Sequence, residues 1–296
     1  MTRTEKSRLP SAGGTTLSRT RRLVFRSLLS LLDVLPWPWG EELLAGLFVA
    51  RAFVGVRRLC AALEWASRQP GSRGRWRLAV ALCWHHGRFV GRAALLGLRH
   101  PEQFRRHLVL RGEQHLRAVV GATILLGFHL GPPNTAVALQ VLGHRVRAMG
   151  AKRISRGWAR EAWQPFQGPE ALLWVPGDWH RGAAMYQALH VLQGGGTVSL
   201  AADGIGRPAF ALPLSGGTVR ISSGWLELRR RTGAQVLPVL KHLDGRTLVL
   251  TVHPPLPPCA SPLEREVEVC REILQRLLDD YVRQFPEQCY SLAFPG

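Results

Sequence analysis

From Leu17 to Leu98 the apolar residues Leu, Ala, Val and Trp recur at helical intervals among arginines, the spacing that gives a helix one stripe to bury. Pro70-Gly-Ser-Arg-Gly74 interrupts the pattern and predicts two helices there, Glu42–Arg68 and Arg75–Gly97. After residue 105 the pattern changes to short apolar runs, Thr123–Phe128, Thr197–Ala202, Gln235–Leu240 and Thr247–Val252, which read as strands. Among them Thr135–Leu142, Ala183–Leu192, Ser223–Thr232 and Pro262–Phe285 read as helices, the second closed by Gly194-Gly-Gly196 and the third by Gly233. Asp244-Gly245, between the last two strands, predicts a two-residue hairpin. Strands alternating with helices and ending in a hairpin describe an α/β sheet with helices on its faces and a helical layer alongside. Residues 1–16, rich in Ser, Thr and Gly, are expected to form a disordered tail.

The chain has 296 residues, enough to bury a full core as one large domain or two. It holds no run of 18 uncharged apolar residues, so no ordinary membrane span is predicted. The nearest candidate is Leu23–Leu35, where Arg26, Ser27, Ser30 and Asp33 share one helical stripe and Leu, Val and Phe fill the remainder. Arg21 and Arg22 precede it and Pro36-Trp-Pro-Trp39 follows. Basic and tryptophan anchors around a wide apolar face suit a helix lying in a membrane interface. The same face would also suit a helix packed into the protein.

Charge changes this picture. The formal net charge is +19, and only Lys6, Lys152 and Lys241 among the 39 basic residues are lysines, the others being arginines. A GC-rich coding sequence spells basic positions as arginine. A surface that attracts polyanions (phosphate head groups, an acidic carrier protein or nucleic acid) has the same composition. No nucleic-acid recognition motif or aromatic-basic platform accompanies the charge, so a nucleic-acid partner is not expected. The five cysteines, at 60, 83, 259, 270 and 289, are odd in number and lack CxxC or Cys/His spacing. They predict neither a disulfide framework nor a metal site, and fit a reducing, cytosol-facing environment.

The most chemically suggestive segment is Gly127-Phe-His-Leu-Gly-Pro-Pro-Asn134. It places His129 at the carboxyl end of a buried strand, the edge where open α/β sheets gather ligands and catalytic groups. An imidazole titrating near neutrality can take a proton from a hydroxyl if an acceptor fixes its second ring nitrogen. Asn134, five residues on, is a feasible place for that acceptor. It is equally a favoured N-cap for the helix that follows.

The surroundings of this segment resemble the lysophospholipid acyltransferase superfamily, in particular its lipid A biosynthesis (lauroyl or myristoyl) acyltransferase branch. There a strand ends in His-x4-Asp/Glu, and Gly121–Asn134 matches that setting with Asn at the acidic position. Leu110–Leu116 looks like the family's segment before the first strand. Met185–Asp203 is similar to its helix, glycine turn and strand ending in Asp. Phe210–Gly224 resembles its loop with a glycine and a following helix start. Arg229–Val239 resembles its Arg-x-Gly-Ala-x-Val-x-Pro-Val strand, and Phe285–Cys289 its Pro-Glu-Gln-Trp ending, with Cys289 in place of Trp.

The resemblance implies a mixed, mostly parallel, glycerolipid acyltransferase-like sheet over residues 106–296, with a helical membrane-associating region over 17–105. It implies transfer of a fatty acyl group from an acyl carrier protein or coenzyme A thioester to a hydroxyl of a lipid or glycolipid. No other cofactor and no metal are implied. The expected location is the cytoplasmic face of an inner membrane, as a peripheral or monotopic protein. His129 would be the general base with Asn134 as its partner, and Arg153, Arg156, Asp203 and Arg207 would bind substrate. Asn134 is the departure that matters. It can hold an imidazole but cannot supply negative charge, and an Asp-to-Asn change beside a catalytic His can cost roughly 10⁴ in turnover. The alternatives are a slower or differently assisted enzyme, a nearby substitute carboxylate, with Asp203 one possibility, and a lipid-binding pseudoenzyme of the same fold.

Overall fold

The computed structural model describes residues 35–70, 74–98, 101–132, 135–151, 172–175, 181–204, 208–258 and 262–294. The expected tail over 1–16 and the interface helix Leu23–Leu35 lie outside them. Helices α1 (Trp37–Val54), α2 (Val56–Ser67) and α3 (Arg75–Leu98) come first, and α4 (Pro101–Arg106) leads into the sheet. The single helix expected over Glu42–Arg68 is therefore two. Gly55, at φ −96° and ψ 78°, leaves the helical region, and its N–H closes α1 on the Arg51 carbonyl at 2.8 Å.

The elements that follow are β1 (Leu108–Arg111), α5 (Glu113–Ala118), β2 (Thr123–Gly127), α6 (Thr135–Val141), β3 (Arg147–Ala151), β4 (Leu172–Val175), α7 (Arg181–Gln193), β5 (Thr197–Ala201), β6 (Pro208–Leu214) and β7 (Gly217–Ser222). Then come α8 (Gly224–Thr232), β8 (Gln235–Asp244), β9 (Thr247–Val252), α9 (Leu263–Gln284) and α10 (Tyr290–Ala293). Seven strands form one sheet in the order β1-β9-β8-β2-β5-β3-β4. Every neighbouring pair is parallel except β8 and β9. The fold is thus mixed α/β with a mostly parallel sheet flanked by helices.

The strand β2, Thr-Ile-Leu-Leu-Gly, is buried at all five positions, as a central parallel strand covered on both faces must be. Its alternate residues serve opposite layers. Ile124 and Leu126 join a core with Trp65 of α2, Ala188 and Leu192 of α7, and Leu274 and Leu278 of α9. Leu125 joins a second core with Ala138 and Leu139 of α6, Phe89 of α3 and Phe104 of α4. The expected β8–β9 hairpin is present, but its loop is Gly245-Arg246, since Asp244 still pairs with Thr247.

The segment expected as a loop, Phe210–Gly224, is mainly a separate antiparallel hairpin of β6 and β7. Pro208 and Pro213 disguise it, because proline cannot donate to a ladder and reads as a strand breaker. A two-stranded sheet tolerates them, and Leu212, Leu214, Val219 and Ile221 pack inward. β1, β3 and β4 were not among the predicted runs. An arginine at one end of β1 and of β3 shortens the apolar run, and β4 has only four residues.

The N-terminal helices share the core of the α/β layer and are also fastened by polar contacts. Glu41 of α1, 3% exposed, accepts from Arg88 Nε at 3.0 Å and Arg92 Nη2 at 3.0 Å. The same two arginines donate to the Gly245 and Arg246 carbonyls at 2.7 and 2.8 Å, tying α1 and α3 to the β8–β9 turn. Outward, Trp39, Leu43, Leu47 and Val54 form an exposed apolar row along α1, with Phe53, Val56 and Trp76 also exposed. Among the described residues no helix is long and apolar enough to cross a membrane.

Candidate active site

Two in-register parallel strands create the site. Thr123–Gly127 of β2 pairs residue for residue with Thr197–Ala201 of β5, ending at Gly127 opposite Ala201. The register extends one residue further through the Ala202 N–H, which donates to the Gly127 carbonyl at 2.8 Å. His129 and Asp203 each stand two residues beyond the last pair. Equal overhang on adjacent parallel strands brings them side by side at the carboxyl edge, 74 residues apart in sequence.

The contact is specific. His129 Nδ1 lies 2.9 Å from Asp203 Oδ1, and the His129 backbone N–H donates to both carboxylate oxygens, at 3.1 and 2.9 Å. A carboxylate only accepts, so Nδ1 carries a proton, and in the neutral form of the ring Nε2 presents its lone pair. The His129 side chain is 57% exposed whereas that of Asp203 is 10% exposed. One member of the pair is thus open to a substrate and the other is held underneath. Ser222, at the end of β7, secures the Asp203 turn through its N–H and hydroxyl, which reach the Ala202 carbonyl at 2.7 and 2.9 Å. It does not cap the following helix. Ser223 occupies the N-cap position of α8 without a side-chain capping bond.

The backbone behind His129 is braced from β8 and from the C-terminal helices. Lys241 is buried at 4% exposure and donates from Nζ to the Phe128 carbonyl at 3.1 Å. Burial lowers its pKa to about 8, against the opposing pull of the Asp203 charge. Gly131 has φ +72°, and a Cβ built on it would stand 2.1 Å from the Lys241 carbonyl oxygen and 2.2 Å from Tyr281 Oη. Only glycine fits. The Gly131 N–H donates to the Gln288 carbonyl at 3.2 Å, and Tyr281 donates to the Lys241 carbonyl at 2.6 Å. The Gln288 side chain, 1% exposed, pairs with the Leu243 backbone by accepting at 2.8 Å and donating at 2.9 Å. The Pro-Glu-Gln segment therefore works as a clamp between the His129 turn and β8. Cys289 beside it is buried, which pushes its thiol well up from the ordinary range.

Of the residues singled out in the sequence, the structure brings His129 and Asp203 together. Asn134, Arg153, Arg156 and Arg207 lie outside the described residues. Among the described residues no group of His, Cys, Asp and Glu is arranged to hold a metal ion. Sequence reasoning missed Lys241, Tyr281 and Gln288. Lys241 did carry a signal: a lysine inside the apolar strand Val-Leu-Pro-Val-Leu-Lys-His-Leu, in a chain with only two other lysines.

No family model matches this sequence, and no curated protein matches it. Among solved structures, the 1-acyl-sn-glycerophosphate acyltransferase PlsC from Thermotoga maritima is similar at a TM-score of 0.43 and 14% identity. That match spans 89% of this chain and 97% of that one.

Proposed function

We propose that this protein is an acyltransferase that moves a fatty acyl group from a thioester to a hydroxyl of a lipid or glycolipid at a membrane surface. The observation that carries this reading is the 2.9 Å contact between His129 Nδ1 and Asp203, with the imidazole open to solvent at the carboxyl edge of a parallel sheet. His129 Nε2 takes the proton of the acceptor hydroxyl as its oxygen attacks the thioester carbonyl carbon. The tetrahedral intermediate then collapses, the C–S bond breaks, and the imidazolium returns its proton to the leaving thiolate. Asp203 fixes the tautomer and stabilises the imidazolium, the role that the family resemblance gives to an acidic residue where this chain has Asn134.

Arg153, Arg156 and Arg207 are the residues we assign to donor or acceptor phosphate, for which a planar guanidinium fork is well suited. The net charge of +19 favours both an acyl carrier protein or coenzyme A donor and an anionic lipid surface. The exposed row on α1 supports docking to lipid at a cytoplasmic membrane face, since Trp, Leu and Val beside Arg51 and Arg57 suit a headgroup boundary.

The test is transfer of labelled acyl groups from coenzyme A and carrier-protein thioesters to extracted membrane lipids. His129→Ala should abolish transfer, and Asp203→Asn should lower kcat by roughly 10³- to 10⁴-fold. Asn134→Asp should change the rate far less than Asp203→Asn. The asparagine at 134 favours a second reading, a lipid-binding protein without turnover. Lack of His129-dependent transfer from every thioester, alongside retained lipid binding, would establish it in place of the first.

A further inference from the structure

Lys241 sits behind the His–Asp pair and touches neither ring nor carboxylate in the hydrogen bonds described above. Its Nζ donates to the Phe128 carbonyl at 3.1 Å. That carbonyl belongs to the peptide group whose N–H, on His129, donates to both oxygens of Asp203. The same carboxylate receives His129 Nδ1. The chain of contacts is ammonium, peptide C=O, peptide N–H, carboxylate, imidazole. A cation on the oxygen side of a peptide draws electron density toward that oxygen and makes the N–H a stronger donor, so each bond strengthens the next.

The position is specified on every side. The Lys241 carbonyl accepts from Tyr281 and lies against Gly131, where a Cβ would come within 2.1 Å of it. β8 and β2 are parallel neighbours, which fixes the Lys241 backbone relative to Phe128. A lysine buried at 4% exposure costs the fold desolvation energy that an apolar residue would avoid. Retaining it calls for a return, and the peptide it grips is the one that orients the pair.

From this geometry we infer that Lys241 is a positioning residue for the His129–Asp203 pair, acting through the Phe128–His129 peptide group to hold the carboxylate and the Nδ1–H tautomer in place. The inference rests on the acyltransferase reading for its consequence in turnover, but not for its structural content. Lys241 never contacts the acyl donor or acceptor in this scheme. Its removal should lower kcat roughly 10- to 100-fold, the size of a lost hydrogen bond to a charged group, while KM stays within about two-fold.

The test uses the full chain carrying Lys241→Met, which keeps the length without the charge, and Lys241→Gln, which keeps a donor without the charge. Nitrogen-15 spectra of histidine-labelled protein, with His129 assigned through His129→Gln, report its tautomer without any substrate. In the parent protein the Nδ1–H form should predominate, and in both variants the His129 signals should shift toward the Nε2–H form. Transfer from palmitoyl-coenzyme A to lysophosphatidate supplies the kinetic arm, and thermal melting confirms folding. His129 signals in Lys241→Gln that match the parent, together with a parent-like rate, would overturn the proposal and leave Lys241 as a packing element even if Lys241→Met failed to fold. A parent protein that transfers no acyl group overturns the acyltransferase reading, and the spectra still decide the role of Lys241.

Discussion

At the scale of single residues, the site depends on two positions where ordinary side chains would fail. Gly131 combines φ +72° with a Cβ position 2.1 Å from the Lys241 carbonyl oxygen. Gly131→Ala should therefore destabilise the protein by more than about 2 kcal/mol, since the left-handed penalty adds to a backbone clash that no rotamer relieves. Thermal melting checks this, and an unchanged midpoint would show that the turn relaxes freely. Lys241 makes a pH-dependent contribution of definite sign. Its pKa of about 8 when folded lies below the ordinary lysine value of 10.5 that holds in the unfolded chain. The folded state thus sheds its proton first, and the cost of burying the charge stands in full below pH 8. That cost is relieved as pH rises from about 8 to about 10.5 and amounts to about 3 kcal/mol at 1.36 kcal/mol per unit. Comparing denaturant unfolding of the parent and Lys241→Met proteins at pH 7 and pH 10 isolates the term. The parent should gain stability relative to the variant at the higher pH.

At the scale of elements, the contacts that decide the site run between segments far apart in sequence, and this governs what could be read in advance. β2 was legible because a central parallel strand is apolar at every position, and β9 because Leu248-Val-Leu250 and Val252 make a nearly unbroken apolar run. β6 and β7 were not, since Pro208 and Pro213 are breakers in most strands and are tolerated here only in a two-stranded hairpin. His129 stood out from its strand-end position. Asp203 was legible as a possible substitute carboxylate but not as the neighbour of His129, because the equal overhang of β2 and β5 is a register fact that no local window contains. Asn134 is near His129 in sequence, whereas Asp203 is near only in space. A second tie of this long-range kind joins Glu41 to Arg88 and Arg92. Glu41→Ala should cost about 3–5 kcal/mol, because it removes the buried carboxylate that both guanidinium groups share and leaves the partly exposed Glu42, 3.7 Å from Arg88 Nε, as a poorer substitute. A loss below about 1 kcal/mol in denaturant unfolding would mean that solvent reaches the arginines.

At the scale of the whole molecule, the sequence pattern conveyed the α/β class, the change of character near residue 105 and the cationic surface. It did not convey that the N-terminal helices and the sheet share one hydrophobic core, in which Trp65, Ala66 and Leu82 meet Ile124 and Leu126. Helical periodicity states which face is buried but not against what. The face that remains exposed on α1 gives a prediction at this scale. Substituting Ser for Trp39, Leu43 and Leu47 together should weaken binding to phosphatidylglycerol-containing vesicles by at least about ten-fold, from the loss of apolar area buried in lipid. The melting temperature should stay near that of the parent, because none of the three side chains is buried in the protein. Vesicle sedimentation that is unchanged by the triple substitution would remove α1 from the membrane-facing surface.

The clamp formed by Gln288 has a consequence in time as well as in space. A ribosome delivers the chain from its N-terminus, so the His129 turn emerges long before the residues that receive its Gly131 N–H and close over it. Asp203 arrives in between, and Lys241, Tyr281 and Gln288 follow in that order. A nascent chain therefore holds its imidazole and carboxylate on an unbraced turn until nearly all the described residues have been made. On the acyltransferase reading proposed above, the braced His129–Asp203 pair is then among the last features that the described residues assemble.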